Sequence, residues 1–483
     1  MYQENVLPLA LVYSKKFPGN IYYSNPAIRD LVVAGMYFAL RSAHRDGSCD
    51  DYYPNERALG ATVFSLLAMT EAYSLLGLRD IQLESFFRKR ADWLMYHQET
   101  GKLSNHQALV VLALYNVFTI TGEKRYIKGV RERIDILRKW QHPEGWFQEY
   151  EGADPGYQTV TIDALARYWQ KSGDPSVLPL LEKALGFSVY FLHPDYSYGG
   201  EYGSRNTYIA YPAGMEILSE KYGKAAYLAM GFQKAIAKGT RLYLDDDRMV
   251  GHLACNYLLA YRYFRKEKRK PYAHPSEFTK YFSGCNLLIK KKGPFYCVIS
   301  LNKGGTHKIF KGQALVSSST GLAIELSNGI IGVTGHVSEN RVKVENNLVH
   351  VEGRFASYRK EYVTPQKLII FRILTLILGK TFRGSQAIRS LLQRRLITHK
   401  KFLPVGFSRE ILLRRKDITI VDRIWKEDRL KIKRLMETTN LTSIYVAQSN
   451  AFQLGRLGSW EEFKKEKEVL NKTNQVLLRR KIE

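Results

Sequence analysis

Apolar residues recur at spacings of three and four through most of residues 26–267, the period of an amphipathic helix. The clearest runs are Ala58–Leu76, Gln107–Thr121, Thr159–Lys171 and Val177–Leu192. Others lie at Ile28–Arg45, Ile81–Tyr96, Glu123–Trp140, Pro212–Lys221, Lys224–Tyr243 and Gly251–Arg265. Short turns such as Lys171-Ser172-Gly173-Asp174 join them. The helices pair by length, as stacked helical hairpins do. No strict residue-by-residue repeat appears, so periodicity alone leaves solenoid and closed toroid both open.

Beyond the charged linker Arg265-Lys266-Glu267-Lys268-Arg269-Lys270-Pro271 the period falls to two. Alternation at Leu287–Lys291, Phe295–Leu301, Gly321–Leu326, Ile330–Val337, Arg341–Val344, Leu348–Phe355, Phe407–Arg414, Ile418–Ile424 and Ser443–Ala447 predicts an antiparallel β-sandwich. Pro365–Leu396 interrupts it with a helical pattern, apolar from Leu368 to Leu378 and then basic at Arg383, Arg389, Arg394, Arg395 and Lys400. Two readings fit this insertion: a helix packed against the sandwich with a solvated basic face, or an amphipathic segment on an anionic membrane or partner. The expected organisation is a helical domain over 1–264, a linker over 265–274, and a sandwich over 275–483 with a basic helical insertion at 365–400.

The chain has 483 residues and is 45% hydrophobic, enough for two sizeable cores. Net charge is +27, and residues 271–483 hold 39 Lys and Arg against 17 Asp and Glu, so most of the excess sits there. Such a basic region suits a polyanion: acidic polysaccharide, nucleic acid or an anionic membrane surface. No helix-turn-helix, RNA-binding or zinc-finger spacing accompanies the charge, so nucleic acid is not the expected partner. The four cysteines (Cys49, Cys255, Cys285 and Cys297) form no paired motif, which fits free thiols in a reducing compartment. Met1-Tyr2-Gln3-Glu4-Asn5 does not open a signal peptide, and no apolar run reaches spanning length. The expectation is a cytoplasmic protein, membrane-proximal if the insertion contacts lipid.

Three clusters of polar and aromatic residues sit where helical patterns start or stop: Ser104–Gln107, Glu149–Tyr157 and Tyr198–Thr207. A ring of helices would let all three face one cleft. The two-part layout, the Asn105-His106 pair and Tyr157, 51 residues after His106, resemble the heparinase II/III-like polysaccharide lyases, which include oligo-alginate lyases. The resemblance covers nearly the whole chain. It implies an α+β multidomain fold, an incomplete (α/α) toroid followed by an antiparallel β-sandwich, acting on acidic polysaccharide.

A uronate lyase removes the C5 proton beside the sugar carboxylate and expels the O4 leaving group. An amide or cation must engage that carboxylate so that charge can move onto it. A Tyr or His then takes the proton, and another group protonates O4. By resemblance, Asn105 or His106 matches the carboxylate-engaging position and Tyr157 the general acid or base. Read alone, Asn105 is equally a helix cap, His106 a hydrogen-bonded core or surface residue, and Tyr157 a residue following an Asp-Pro-Gly turn. Their conjunction carries the reading.

Arg205 is a second candidate for the substrate carboxylate, with Glu201 orienting it; an ordinary ion pair competes. Tyr198 and Tyr202 are candidates for stacking on sugar rings. The family also places a sandwich histidine against the cleft, and His307 in Gly304-Gly305-Thr306-His307-Lys308 is the nominee, with His252 and His193 in reserve. Family members carry a metal-binding run of His and Asp there. This chain continues Lys308-Ile309-Phe310, so no metal is expected, and no cofactor is implied. The alternatives are a glycoside hydrolase using two of Glu149, Glu151, Asp154, Asp163 and Glu201, a uronate C5-epimerase, and a non-catalytic polysaccharide-binding protein.

Overall fold

The computed structural model describes residues 2–99, 101–240, 247–358, 364–393, 401–439 and 460–483, excluding the side chains of 2, 247–253, 382 and 393. Its helical half comprises α1 (Val6–Ser14), α2 (Pro26–Ser42), α3 (Leu59–Leu75), α4 (Ile81–Tyr96), α5 (Ser104–Thr121) and α6 (Arg125–Trp140). A small hairpin follows, β1 (Gln148–Glu149) and β2 (Gly152–Ala153). Then come α7 (Pro155–Ser172), α8 (Leu178–Ser188), α9 (Ala213–Leu218), α10 (Gly223–Lys238) and α11 (Asp247–Arg262).

Odd-numbered helices touch in sequence, α1 to α3, α5, α7, α9 and α11, and α11 returns to α1. This is a closed inner ring. Each of α2, α4, α6, α8 and α10 packs outside its odd-numbered neighbour, so the outer layer has five helices among the described residues against six inside. The chain is thus an (α/α) toroid, one outer helix short. Burial explains the two kinds of sequence. Helices α3, α5 and α7 are covered on nearly every side, so they are apolar or small around the circumference. The outer α6 buries one stripe through Val130, Ile134 and Leu137 and leaves charge outside. Helix α1 lies before the periodic region read from sequence, and its nine mostly apolar residues show no polar face to detect.

Strands β3 (Phe278–Phe282), β4 (Leu287–Lys292), β5 (Phe295–Ser300), β6 (Thr306–Lys311) and β7 (Ala314–Ser319) form an antiparallel meander. A second, nine-stranded sheet holds β8 (Gly321–Leu326), β9 (Ile331–Val333), β10 (Arg341–Glu345), β11 (Leu348–Tyr358), β12 (Phe402–Leu413), β13 (Ile418–Lys426), β14 (Ile432–Thr438), β15 (Glu461–Glu462) and β16 (Gln475–Ile482). Its order is β15-β14-β8-β9-β11-β12-β13-β16, with β10 beside β11. The expected strand at Ser443–Ala447 lies outside the described residues.

The five-stranded sheet is a middle layer. Leu287, Ile289, Tyr296, Val298 and Phe310 join the helical core, whereas Leu288, Phe295, Cys297, Ile299 and Ile309 join the core between the sheets. Both faces are covered, so β5 is buried at every position. This alternation decides a point of chemistry. In β6, Lys308 shares the toroid-facing side with Phe310, and His307 shares the inter-sheet side with Ile309.

The insertion forms α12 (Pro365–Ile377) and α13 (Phe382–Gln393), joined by a short 3-10 turn at Leu378–Lys380. Among the described residues its side-chain contacts fall on the toroid. Phe371 meets the Tyr53 ring edge-on at 5.2 Å, the Asn55 amide donates to the Thr375 carbonyl at 3.4 Å, and the Ser385 hydroxyl donates to the Glu56 carbonyl at 2.7 Å. The insertion therefore crosses back onto the toroid. Among the described residues no helix is long and apolar enough to cross a membrane, and all four cysteines are free.

Candidate active site

The three clusters singled out in the sequence meet at the heads of two inner helices. Helix α5 begins at Ser104, whose hydroxyl donates to the Gln148 carbonyl at 2.8 Å. Leu103 pairs with Glu149, which brings β1 across the helix end. Asn105 is inside the first turn and is not the cap. Its backbone N–H, which has no acceptor within the helix, donates to Glu149 Oε1 at 2.9 Å, and its Nδ2 donates to Oε2 at 2.8 Å. Glu149 thus does the capping, where a carboxylate is also favoured by the helix dipole. Asn105 Oδ1 is buried without a hydrogen-bond partner among the described residues.

Helix α7 begins beside it. Asp154 caps the helix, accepting from the Tyr157 N–H at 3.1 Å, with Pro155 in the first turn. The same carboxylate accepts from the Arg205 N–H at 3.0 Å and from the Thr207 hydroxyl. Asp154 therefore ties the loop 199–207 to the head of α7. Gly203 permits that approach, because a Cβ there would lie 2.6 Å from Asp154 Oδ2. Ser204 completes the seam, with its N–H on the Ala153 carbonyl and its hydroxyl on the Glu149 carbonyl, both at 2.9 Å.

Arg205 is the centre of the cluster. Its guanidinium lies 4.3 Å from the Tyr157 ring centroid, 4.7 Å from that of Tyr150, and 3.8 Å from Glu149 Oε2. Its Nε is buried with no hydrogen-bond partner among the described residues. Tyr150 holds a left-handed backbone, φ 57°, an uncommon conformation for an aromatic residue. Burial pushes the Tyr157 phenol far above its usual range, with Arg205 pulling the other way. Burial also pushes Glu149 up to about 7, against the opposing pull of Arg205 and Asn105.

His106 stands on the neighbouring face of α5, 14% exposed at its side chain. Its Nδ1 meets Glu99 Oε2 at 2.6 Å, and Arg389 from α13 pairs with the other Glu99 oxygen. Arg389 and His106 hold a charged carboxylate beside the imidazole: burial pushes the Glu99 pKa up, but Arg389 and His106 prevail and bring it below the ordinary value.

The remaining expected site residues divide. Glu201 does not orient Arg205; its carboxylate meets Lys308 Nζ at 3.5 Å and accepts from the Tyr208 hydroxyl. Tyr198 packs edge-on against Phe232, and Tyr202 lies over Phe191 and donates or accepts at His193 Nε2, 2.9 Å away. Both rings are buried and present no face for stacking. His307 turns toward the second sheet, where its Nε2 meets the Ser317 hydroxyl at 2.9 Å and its Nδ1 the Gly305 carbonyl at 3.1 Å. Strand alternation sends it away from the toroid. His193 is buried and stacked on Phe310, and the side chain of His252 lies outside the described residues. Of the carboxylates considered for hydrolysis, Asp154 is a cap, Asp163 pairs with Arg167, and Glu201 with Lys308.

Sequence reasoning missed what the sandwich does contribute. Lys303 enters the loop 199–207, donating to the carbonyls of Glu201 and Gly203 and to Asn206 Oδ1. Burial lowers its pKa to about 8. Its only signal was a lysine before a Gly-Gly turn. Glu99, Glu149 and Arg389 also went unassigned as partners. The whole cluster is enclosed: none of Asn105, Tyr157, Tyr198, Glu201, Tyr202 or Arg205 is more than 8% exposed.

Glu149 offers a test by pH. Its folded pKa lies above the usual 4.5, so the unfolded chain gives up this proton first as pH rises. The contribution to stability is full below about 4.5 and is lost as pH climbs through about 7. Glu149→Gln is expected to flatten that part of a melting-temperature profile; an unchanged slope would show that Glu149 is ionised throughout.

Among solved structures, the chain superimposes on chondroitin AC lyase from Streptomyces coelicolor A3, solved with chondroitin sulphate. The TM-score is 0.55 at 9% identity, over 90% of this chain and 63% of that one. The fold is shared. Heparinase III gives a TM-score of 0.47 at 10% identity, over 86% of this chain and 62% of that one. Unsaturated glucuronyl hydrolase from Streptococcus agalactiae gives 0.34 at 13% identity, over 53% and 66%. These two superimpose too loosely to add to the first. The chain thus spans under two thirds of the length of either lyase. No protein-family model and no curated protein sequence matches it.

Proposed function

We propose that the protein acts on a uronate-containing acidic polysaccharide by β-elimination. The observation that carries this reading is Arg205: a buried guanidinium whose Nε–H has no hydrogen-bond partner among the described residues, set against the Tyr157 ring and beside Glu149. A buried unpaired donor is costly, and a planar carboxylate is the group that would satisfy it. Two inner-helix N-termini converge on the same place and add positive potential.

Roles follow from the electrostatics. Arg205 takes the uronate carboxylate and stabilises the charge that moves onto it. Glu99 fixes the His106 tautomer through Nδ1, leaving Nε2 as the acceptor for the C5 proton. Tyr157, neutral because burial favours the phenol, delivers its proton to O4. Asn105 holds Glu149 in place and does not itself bind substrate. Because the cluster is enclosed, binding requires the loop 199–207 or the insertion to move.

A second reading, a non-catalytic polysaccharide-binding protein, draws on that enclosure and on the outward turn of His307. Ultraviolet absorbance during incubation with a panel of uronate polymers separates the two. Elimination creates a conjugated enoate, so rising absorbance is expected with at least one polymer. A flat trace with retained polymer binding would establish the binding protein, and new reducing ends without absorbance a hydrolase.

A further inference from the structure

Helix α12 is held along one narrow stripe. Phe371, Thr375 and Gly379 recur every fourth residue and face the toroid at Tyr53 and Asn55. The rest of the helix looks outward. Eight Leu and Ile side chains between Leu368 and Leu378 are each 45% to 65% exposed, and Leu391 of α13 continues the patch at 61%. Apolar surface this contiguous is rarely left to water on a monomer, so something covers it.

The charges around the patch identify the occupant. Lys367, Arg372, Lys380 and Arg383 are exposed along it, and residues 364–393 contain no Asp or Glu. A second copy would set one basic helix against another. The patch is aliphatic over most of the helix circumference, which suits a fluid medium better than a shaped groove. Thirteen residues of helix span about 20 Å, short of a hydrocarbon core of about 30 Å. The helix therefore fits in the plane of an interface, its apolar side chains among acyl chains and its cations among headgroups.

We propose that α12–α13 is an interfacial anchor that seats the protein on a membrane leaflet rich in anionic phospholipid. The anchor is joined to the candidate site: Arg389 on α13 pairs with Glu99, which holds His106. The cleft would then open beside the membrane surface. The inference rests on the surface alone and not on the elimination chemistry.

Vesicle flotation of the full chain tests it, comparing phosphatidylcholine vesicles with vesicles containing about a quarter phosphatidylglycerol. Binding is expected to the anionic vesicles and to weaken with salt. The double variant Ile369→Asp/Ile373→Asp is expected to reduce partitioning by at least about tenfold with an unchanged melting temperature, since both side chains face solvent. Lys367→Gln/Arg372→Gln, which spares the apolar face, is expected to remove the preference for anionic lipid. Failure of the full chain to float with anionic vesicles would overturn the proposal. So would a dimer, seen by light scattering, that the Asp variant disperses while vesicles bind neither protein.

Discussion

Tyr157→Phe is expected to lower turnover on a uronate polymer by about 10²–10⁴-fold, the usual worth of a positioned acid or base. The substitution removes one oxygen and keeps the ring, so the Arg205 guanidinium retains its contact 4.3 Å from the centroid. The backbone N–H still caps on Asp154. Stability should therefore fall by no more than about 1 kcal/mol, the net worth of one hydrogen bond. KM should hold while kcat collapses, because the phenol proton is needed only when O4 leaves. A second arm uses a substrate with a better leaving group at C4. Such a substrate needs less protonation, so the variant should recover much of its lost rate on it. Equal losses on both substrates would make Tyr157 a positioning residue, and an unchanged rate would remove it from the mechanism.

The architecture was legible because the pattern passes from a helical period to strand alternation, as the helical half gives way to the sheets. Ile81–Tyr96 is read from the sequence with the bounds the structure shows, and β4, β5 and β8 begin at the residues where alternation begins. Ring closure was not legible. It depends on α11 returning to α1, a contact between elements far apart in the chain that no local pattern encodes. Strands β6 and β7 escaped for a different reason. They sit in the middle layer and at its edge, and Thr306–Lys311 mixes Lys308 with Ile309 because each face meets a different neighbour.

The site divides along the same line. Asn105 and Tyr157 lie at helix heads and Arg205 in a loop fastened to one of them, places where the helical patterns start or stop in the sequence. Glu149 was visible as a carboxylate but not as the cap of α5, because that role depends on a strand pairing between Leu103 and Glu149. His307 shows the limit most clearly. The choice between His307 and Lys308 is a choice of strand face, and the register that sets it comes from β5 and β7. A sequence that places His and Lys side by side names both candidates and selects neither. The insertion followed the same rule: its basic and apolar character was plain, but its landing on residues 53–56 is a long-range contact.

Asp422→Asn is expected to destabilise the protein by about 3–5 kcal/mol, the cost of leaving a buried charge without its partner. Asp422 is fully buried between the sheets, where it accepts from Arg409 Nε at 2.6 Å and NH2 at 3.0 Å and also pairs with Arg480. Glu437 shares both guanidiniums. Removing one negative charge leaves the buried Arg409 and the part-buried Arg480 with a single carboxylate. A chemical-denaturation midpoint read by far-ultraviolet circular dichroism checks this, and a shift worth less than about 1 kcal/mol would show that solvent or Glu437 compensates. The network also explains His307. Arg409 donates to the Gly305 carbonyl that His307 Nδ1 meets, and burial together with that cation lowers the imidazole pKa to about 3. The unfolded chain takes up this proton first, near the usual 6.5, so His307 withdraws stability as pH falls from there toward about 3. A histidine held neutral through that range keeps its bonds to the Gly305 carbonyl and to Ser317 of the neighbouring strand.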